Sequence, residues 1–366
     1  MKISQTLSFY IGRNFLYSFC AVFAVFLGII YLFDTVELLR RASSHDNVGI
    51  GLIFRMGLLK LPFMGQQVFP FAVLFGGMAA FWRLTRSSEL VVTRAAGVSA
   101  WQFLLPVLLV AFLLGLLKIS TFNPLASAML TKYDRINTTL LKGQSNLLAV
   151  SQSGLWLRQA SGKNQSVIHA PKISLMKNEI KLSDVTIFVY QGANKFKSRI
   201  NAASGDLEDG FWHLKKVWIH EEDNPAVFKK EHWLETDITL NNIHENFAPP
   251  ETTSFWDLPD FIANMERAGF SALRHRLYWH SLLAAPLLLC AMVLIAAIFT
   301  LRQSRRGNAT IVITGGITTG FLLFFFSDVV FALGLRESIP VVLAAWTPSG
   351  VCTLLGLAMV FHLEDG

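Results

Sequence analysis

Residues 277–301 read LYWHSLLAAPLLLCAMVLIAAIFTL, an unbroken run without Asp, Glu, Lys or Arg. As a helix rising ~1.5 Å per residue, such a run is longer than the ~30 Å hydrocarbon core of a bilayer. Two further apolar runs follow it, 310–333 and 341–362, and three precede it, 9–33, 61–81 and 101–122. Between the two triplets, from about 147 to 246, the chain is mixed in polarity, rich in charge and interrupted by turn residues. A hydrophobic fraction of 52% and a mean hydropathy of +0.45 are too apolar for a soluble globular chain and too polar for membrane helices alone. The reading is a 3+3 α-helical membrane protein with an inserted soluble domain, divided as 1–144, 145–250 and 251–366. No small-residue cleavage site follows the first apolar run, so it is expected to stay as a helix.

Charge orients the spans. Lys2 and Arg13 flank the first, Arg83, Arg86 and Arg94 lie between the second and third, and Arg302, Arg305 and Arg306 lie between the fourth and fifth. With alternating helices these sets share one side, which the positive-inside bias makes cytoplasmic. Both termini are then cytoplasmic, and the inserted domain lies on the other side. The formal net charge of +7 largely reflects these loops and argues weakly for nucleic acid. Cys20, Cys290 and Cys352 all fall in apolar runs, so no disulfide framework holds the soluble domain.

The middle domain reads as β. Residues 185–190 are β-branched and aromatic, 212–219 alternate with one slip that suggests a bulge, and 233–240 alternate less strictly. Short strands separated by turn residues suggest a sandwich or jelly roll. After it, Asp257 can cap a helix, Pro259 suits the first turn, and Phe261, Ile262, Met265 and Ala268 fall on one face. The expectation is an amphipathic lead-in to the fourth span, near the membrane surface.

Nucleotide and hydrolase signatures are missing. Ser161-Gly162-Lys163-Asn164 lacks the upstream glycine and the following Ser or Thr of a phosphate-binding loop, and no zinc-protease or serine-nucleophile motif occurs. No metal or cofactor is expected. The sharpest local signal is Arg86-Ser87-Ser88-Glu89-Leu90-Val91-Val92-Thr93-Arg94-Ala95-Ala96-Gly97. Ser87 and Ser88 offer an N-cap, Glu89 suits the first turn, and Gly97 offers a stop. A short helix with exposed Leu and Val and a charge at each end fits docking in a partner's groove. The competing reading is a loop helix resting on lipid headgroups.

A second signal is basic charge on the side that the positive-inside bias disfavours. Arg40 and Arg41 follow span one, Arg55 and Lys60 precede the apolar run of span two, and Lys132 and Arg135 follow span three. Arginine grips phosphate with a bidentate fork, which makes a lipid phosphate a candidate partner. Snorkelling to ordinary headgroups, or pairing with Asp34, Glu37 or Asp46, is the alternative. Asp34 and Asp328 sit close to the same interface, where an ionised carboxylate costs less than at mid-bilayer. Gly316 and Gly320 form a GxxxG in span five that allows close helix approach, and Pro62 and Pro70 lie in span two.

Taken with Phe69-Pro70-x-Ala72 and Gly76 in span two, Gly154-Leu155-Trp156 at a strand and Asp328 in span five, the 86–97 segment resembles the LptF/LptG permeases of the bacterial lipopolysaccharide exporter. The resemblance covers essentially the whole chain, and the Glu-Leu-Val-Val form is closer to the LptG branch. It implies an inner-membrane ABC-transporter permease subunit that is not itself an enzyme, with a periplasmic β-jellyroll between the two helical triplets. It implies a paired LptF-like permease, an LptB-like ATPase dimer docked at Ser88, Glu89, Leu90, Val91, Arg94 and Gly97, and an LptC-like periplasmic protein. Lipopolysaccharide would enter a shared cavity between gate helices one and five, where Tyr31, Asp34, Gly316, Gly320 and Asp328 map. Some LptG members carry Lys where this chain has Tyr31 or His280, which shifts charge recognition toward Arg40 and Arg41 or points to a lipid with different phosphorylation. The jellyroll is expected to offer a strand edge for β-augmentation. A mechanotransmission subunit and a lipid-modifying membrane enzyme remain the alternatives; the second would need a catalytic constellation that the sequence does not display.

Overall fold

The computed structural model describes residues 5–42, 49–95, 97, 99–140, 147–151, 154–161, 164–176, 179–191, 195–208, 210–221, 224–236, 249–267, 271–301 and 309–365. The helices are α1 (Gln5–Ala42), α2 (Ile50–Arg86), α3 (Glu89–Ala95), α4 (Ala100–Leu117), α5 (Asn123–Leu140), α6 (Leu258–Arg267), α7 (Leu273–Leu301), α8 (Ala309–Leu335) and α9 (Val341–Asp365). A π-helical turn, Lys118–Phe122, joins α4 to α5. The strands are β1 (Leu147–Ser151), β2 (Gly154–Ser161), β3 (Asn164–Ala170), β4 (Lys172–Met176), β5 (Glu179–Gln191), β6 (Lys195–Glu208), β7 (Phe211–Glu221) and β8 (Asn224–Glu235). The chain divides into a helical unit (Met1–Tyr133, Glu251–Trp256 and Leu273–Gly366) and a sheet unit (Asp134–Pro250 and Asp257–Ala272). Arg302, Arg305, Arg306, Asp46, Lys142 and residues 237–240 of the expected third strand lie outside the described residues.

Among the described residues, six helical stretches are long and apolar enough to cross a membrane: Gln5–Ala42, Ile50–Arg86, Ala100–Asn137, Leu273–Thr300, Thr314–Leu335 and Val341–His362. The first three outrun the apolar windows in the sequence. Hydropathy marks the bilayer core and not the helix end, and helix continues where charged residues pair along it, as Glu37 does with Arg40 and Arg41. The bundle core is built from Phe15, Leu74, Phe81, Leu104, Leu289 and Val293. Two glycines set its tightest crossings. A Cβ on Gly76 would lie 2.8 Å from the Phe19 Cα, so α1 and α2 meet backbone to backbone there. A Cβ on Gly115 would lie 2.5 Å from the Pro286 Cα, which fixes α4 against α7.

Among the described polar groups buried in this unit, Asn123 joins the most elements. Asn123, fully buried, donates from Nδ2 to Gln66 Oε1 of α2 and to the Tyr278 hydroxyl of α7, both at 3.2 Å. Its Oδ1 accepts from the Phe255 N–H at 2.8 Å. One amide thus ties α2, α5, α7 and the segment before α6.

The sheet unit is a single antiparallel sheet of eight strands in the order β1-β2-β3-β5-β6-β7-β8, with β4 paired to β5. Gly154-Leu155-Trp156 opens the second strand, not the first. Neither 185–190 in β5 nor 212–219 in β7 is an edge; among the described residues β8 is. The slip read in 212–219 is real and is shared. Trp212, Leu214 and Val217 are buried, so Lys215 and Lys216 fall together on the exposed side. Leu182, Gly205 and Leu214 form one rung and Val185, Ala202 and Val217 another. Between those rungs Asp184, Ala203 and Lys216 are all unpaired, and Lys230 is passed over at the same level in β8. Asp184 and Lys216 take positive φ, 57° and 52°. On the other side of β5, β3 ends its pairing at Thr186, β4 begins at Ser183, and Pro171 lies between them. The sheet carries a crease with one added residue per strand, so the inward face stays apolar through the bend.

The helix expected on the membrane surface is present as α6, but its apolar face is used differently. Met265 is buried in the sheet core, and Phe261 and Ile262 pack against Leu182, Val185 and Trp212 and their neighbours. The amphipathic stripe found a protein surface, which the sequence pattern cannot distinguish from a membrane.

Two outcomes follow. Lys216→Val should destabilise the sheet by ~1–2 kcal/mol, because a β-branched side chain resists left-handed backbone, whereas Lys216→Gly should be neutral or stabilising. Hydrogen exchange of β6–β8 amides in the full-length protein reads the difference. Asn123→Ala should lower bundle stability by about 2 kcal/mol, since interhelical hydrogen bonds in membranes contribute ~0.6 kcal/mol on average but orphaned buried partners add to the loss. Thermal unfolding in detergent measures it.

Candidate functional site

The α3 segment forms as read, as Glu89–Ala95, with Gly97 beyond it at φ 83°. The chain turns into it sharply. Ser87 donates from its backbone N–H to the Arg83 carbonyl at 2.9 Å and from its hydroxyl at 3.1 Å, ending α2. Ser88 takes φ 64°, and the Val92 N–H donates to its carbonyl, starting α3. Ser87 therefore closes the preceding helix instead of capping the next. Thr93 Oγ1 donates to the Glu89 carbonyl at 2.6 Å. Val92 is an apolar side chain 67% exposed. The side chains of Leu90, Val91 and Arg94 lie outside the described residues.

At the opposite end of α1 and α2 lie the basic residues. Arg40 and Arg41 both bond to the Glu37 carboxylate, at 2.9 and 2.8 Å, while their side chains remain 77% and 58% exposed. Lys60 has a different environment. Its ammonium lies 2.5 Å from Asp34 Oδ1 and 5.6 Å from the Tyr133 ring, joining α2 to α1 and α5. The structure thus gives Asp34 and Lys60 to each other, in a pair whose side chains are only 10% and 22% exposed. A pair so enclosed leaves little of the lysine's charge for a ligand, and breaking it would strand a shielded carboxylate. Arg55 is exposed on α2, and Lys132 and Arg135, three apart on α5, are exposed on one face. Tyr31 packs on α2, where a Cβ on Gly57 would meet its ring at 3.1 Å.

Between the two ends runs an apolar groove of about 480 Å³, lined by Val22 and Phe26 of α1, Phe71 and Phe75 of α2, and Phe321 and Phe324 of α8 among others. The GxxxG pair holds α8 beside it: Gly316 faces Met78 and Phe75, and Gly320 faces Phe71 and Leu74 of α2. Two of the three helices that build the groove, α1 and α8, are the least covered of the six. Only 11% of the most apolar window of α1 and 17% of that of α8 are buried, against 67% for α7. Asp328 is exposed on α8. Sequence reading missed Lys118, a buried lysine in the π-helical turn with its ammonium 5.9 Å from the Phe69 ring. A cation inside a 22-residue apolar run, followed by Asn123-Pro124, was the available signal.

The sheet unit presents its own polarity. Lys215 bonds to Asp206 at 2.8 Å on the outer face, and that contact raises the lysine above its ordinary pKa. His213 stacks on Trp233 with ring centroids 4.1 Å apart. Partial burial and neighbouring Lys229 hold His232 below its ordinary pKa, so it stays neutral at pH 7.

The bundle, the exposed short helix and the inserted sheet have a counterpart among known proteins. A family model described as lipopolysaccharide export system permease LptF/LptG matches residues 9–361. The chain is 25% identical over 364 residues to lipopolysaccharide export system permease protein LptG of Escherichia coli strain K12, covering 96% of this chain and 97% of that protein. It is 24% identical over 373 residues to the protein of the same name from Haemophilus influenzae strain Rd, covering 98% of each. The match spans both helical triplets and the sheet between them, and the chain belongs to the LptF/LptG family of lipopolysaccharide export system permeases.

Proposed function

We propose that this chain is one permease half of an ATP-driven exporter that lifts lipopolysaccharide from the inner membrane. It is a transporter subunit, and a separate LptB-like ATPase dimer docks at α3. The observation that carries the reading is the groove between α1, α2 and α8, phenylalanine-lined and open on two barely covered helices. Such a surface suits acyl chains, and a paired LptF-like permease would complete it. Arg40 and Arg41 fit the phosphates of the same cargo. Their side chains are 77% and 58% exposed, and a guanidinium fork suits a phosphate. Lys60 is assigned to structure, through Asp34; Arg55, Lys132 and Arg135 extend the basic rim.

The orientation follows the positive-inside bias: termini and α3 cytoplasmic, sheet unit periplasmic. There an LptC-like protein would receive the lipid. Strand addition to β8 is the proposed joint, because β8 is an edge. Lys229, Lys230 and Glu231 in its middle guard it against indiscriminate pairing.

Docking at α3 is tested by Glu89→Ala and Leu90→Asp. A charge pair at an interface is worth roughly 2–5 kcal/mol when one partner is truncated, so both variants should lose co-purifying ATPase and lipid-stimulated hydrolysis. Full retention of both properties would return α3 to a headgroup helix. Phosphate recognition is tested by Arg40→Glu with Arg41→Glu in vesicles carrying the assembled exporter. Transport should fall roughly tenfold or more while basal hydrolysis persists, and the defect in single variants should be smaller and should deepen with salt. Wild-type transport by the double reversal would leave these arginines as interfacial anchors. Photo-crosslinkers along β8 should capture a periplasmic β protein; capture only from β5 or β7 would refute the edge joint.

A further inference from the structure

A second groove in the helical unit, of about 700 Å³, is larger than the one beside α8 and shares no residue with it. It lies where the first turns of α1 run beside α4. Its floor is Gly12 of α1 and Pro106 of α4, both buried. A Cβ on Gly12 would lie 3.4 Å from Val110 Cγ2 and 4.0 Å from the Pro106 carbonyl oxygen. With no side chain on one helix and a compact ring on the other, a trough is left between bulkier walls. Leu16 of α1 and Leu105 and Leu109 of α4 form those walls, and all three are exposed.

The lining is sorted by polarity. Gln5 and Ser8 stand at the end where α1 begins, Arg13 adds a cation, and the other lining residues are apolar. Arg13 is exposed, with its guanidinium carbon 6.0 Å from the Tyr17 ring. Among the described residues no carboxylate pairs with it. From Gln5 to Leu16, α1 rises about 16 Å at ~1.5 Å per residue, close to the depth of one leaflet of a ~30 Å hydrocarbon core. The trough therefore fits an amphiphile with an anionic head and a chain one leaflet long. A guanidinium fork suits a phosphate, and the Gln5 amide and Ser8 hydroxyl offer further donors to a headgroup.

We propose that this groove binds an anionic phospholipid of the cytoplasmic leaflet, its phosphate on Arg13 and one acyl chain laid between Gly12 and Leu109. The leaflet rests on the orientation given above; the site and its occupant are separate from the cargo groove and the cargo. Anionic lipids and the positive-inside bias place the two charges at the same surface. A chain held in the trough touches α1 on one side and α4 on the other, which supplies dispersion contact that α1 otherwise lacks at its foot.

The test is native mass spectrometry of the assembled exporter, released from nanodiscs of equal phosphatidylglycerol and phosphatidylethanolamine. Wild type should retain phosphatidylglycerol in preference. Arg13→Gln should lower that retention about fivefold or more, and Leu109→Trp, which fills the trough from an exposed position, should lower it as well, with assembly unchanged in both. A photo-crosslinking residue at Leu109 should capture phospholipid. Equal retention of the two lipids, or retention unaffected by Arg13→Gln, overturns the site and leaves an annular lipid only. Capture of polypeptide alone overturns it in favour of a partner helix, and capture of lipopolysaccharide assigns the groove to the cargo route. The Arg40→Glu, Arg41→Glu exporter should keep the bound phosphatidylglycerol, so failure of the cargo reading and failure of this site are read separately.

Discussion

The helical unit depends on how sparingly it uses polar contact. Lipid offers no hydrophobic drive to bring apolar helices together, so packing and a few buried hydrogen bonds decide which faces meet. Asn123 is the point where that decision is made for three helices at once. Its donors go to α2 and α7 and its acceptor to a backbone N–H near residue 255, so none of the four partners can move alone without stranding a polar group. Around that point the glycine crossings at Gly76 and Gly115 bring backbones together and exclude any other register.

The consequence is an uneven bundle. α7 is wrapped by its neighbours, while α1 and α8 are held by one side only. Helices that must part and rejoin during transport cannot be sealed into a core, and drawing them from the poorly covered end of the range is the general expectation for moving parts. The polar ties of α1 sit toward its two ends, with Asn14 at one and Tyr31 and Asp34 at the other. Its middle meets the rest through phenylalanines such as Phe19 and Phe23 against Phe69. Rings can slide over one another at lower cost than hydrogen bonds can break.

Much of this was legible in the residues. Six spans, the inserted β domain, the short helix at 89–95 and the bulge in 212–219 all follow from hydropathy, turn chemistry and alternation. Three things did not. The helices outrun their apolar windows because Glu37 with its two arginines supports continued helix, which a hydropathy window does not score. The face of α6 was read correctly and its partner was not, since an apolar stripe looks the same whether it meets lipid or Trp212 and Leu182. Pairing with Asp34 or Glu37, the alternative reading of the basic residues, holds for Lys60 with Asp34 and for Arg40 and Arg41 with Glu37; which cation meets which carboxylate, 26 positions away on another helix for Lys60, the sequence does not specify. The strand order likewise needed coordinates, because turn residues announce hairpins but not that β3 and β4 share one side of β5.

The crease in the sheet has a bearing on inheritance. Each of β5, β6, β7 and β8 carries a supernumerary residue at one level, so the four strands are commensurate only with one another. Losing Lys216 alone would turn the half-strand beyond it inside out, placing Trp218 where Val217 now packs and His220 where Ile219 does. A length change at that level is viable only as a concerted set, which a lineage acquiring single-residue indels one at a time cannot readily reach. The crease thereby resists gradual editing, and the turns between strands are where a change of length costs least.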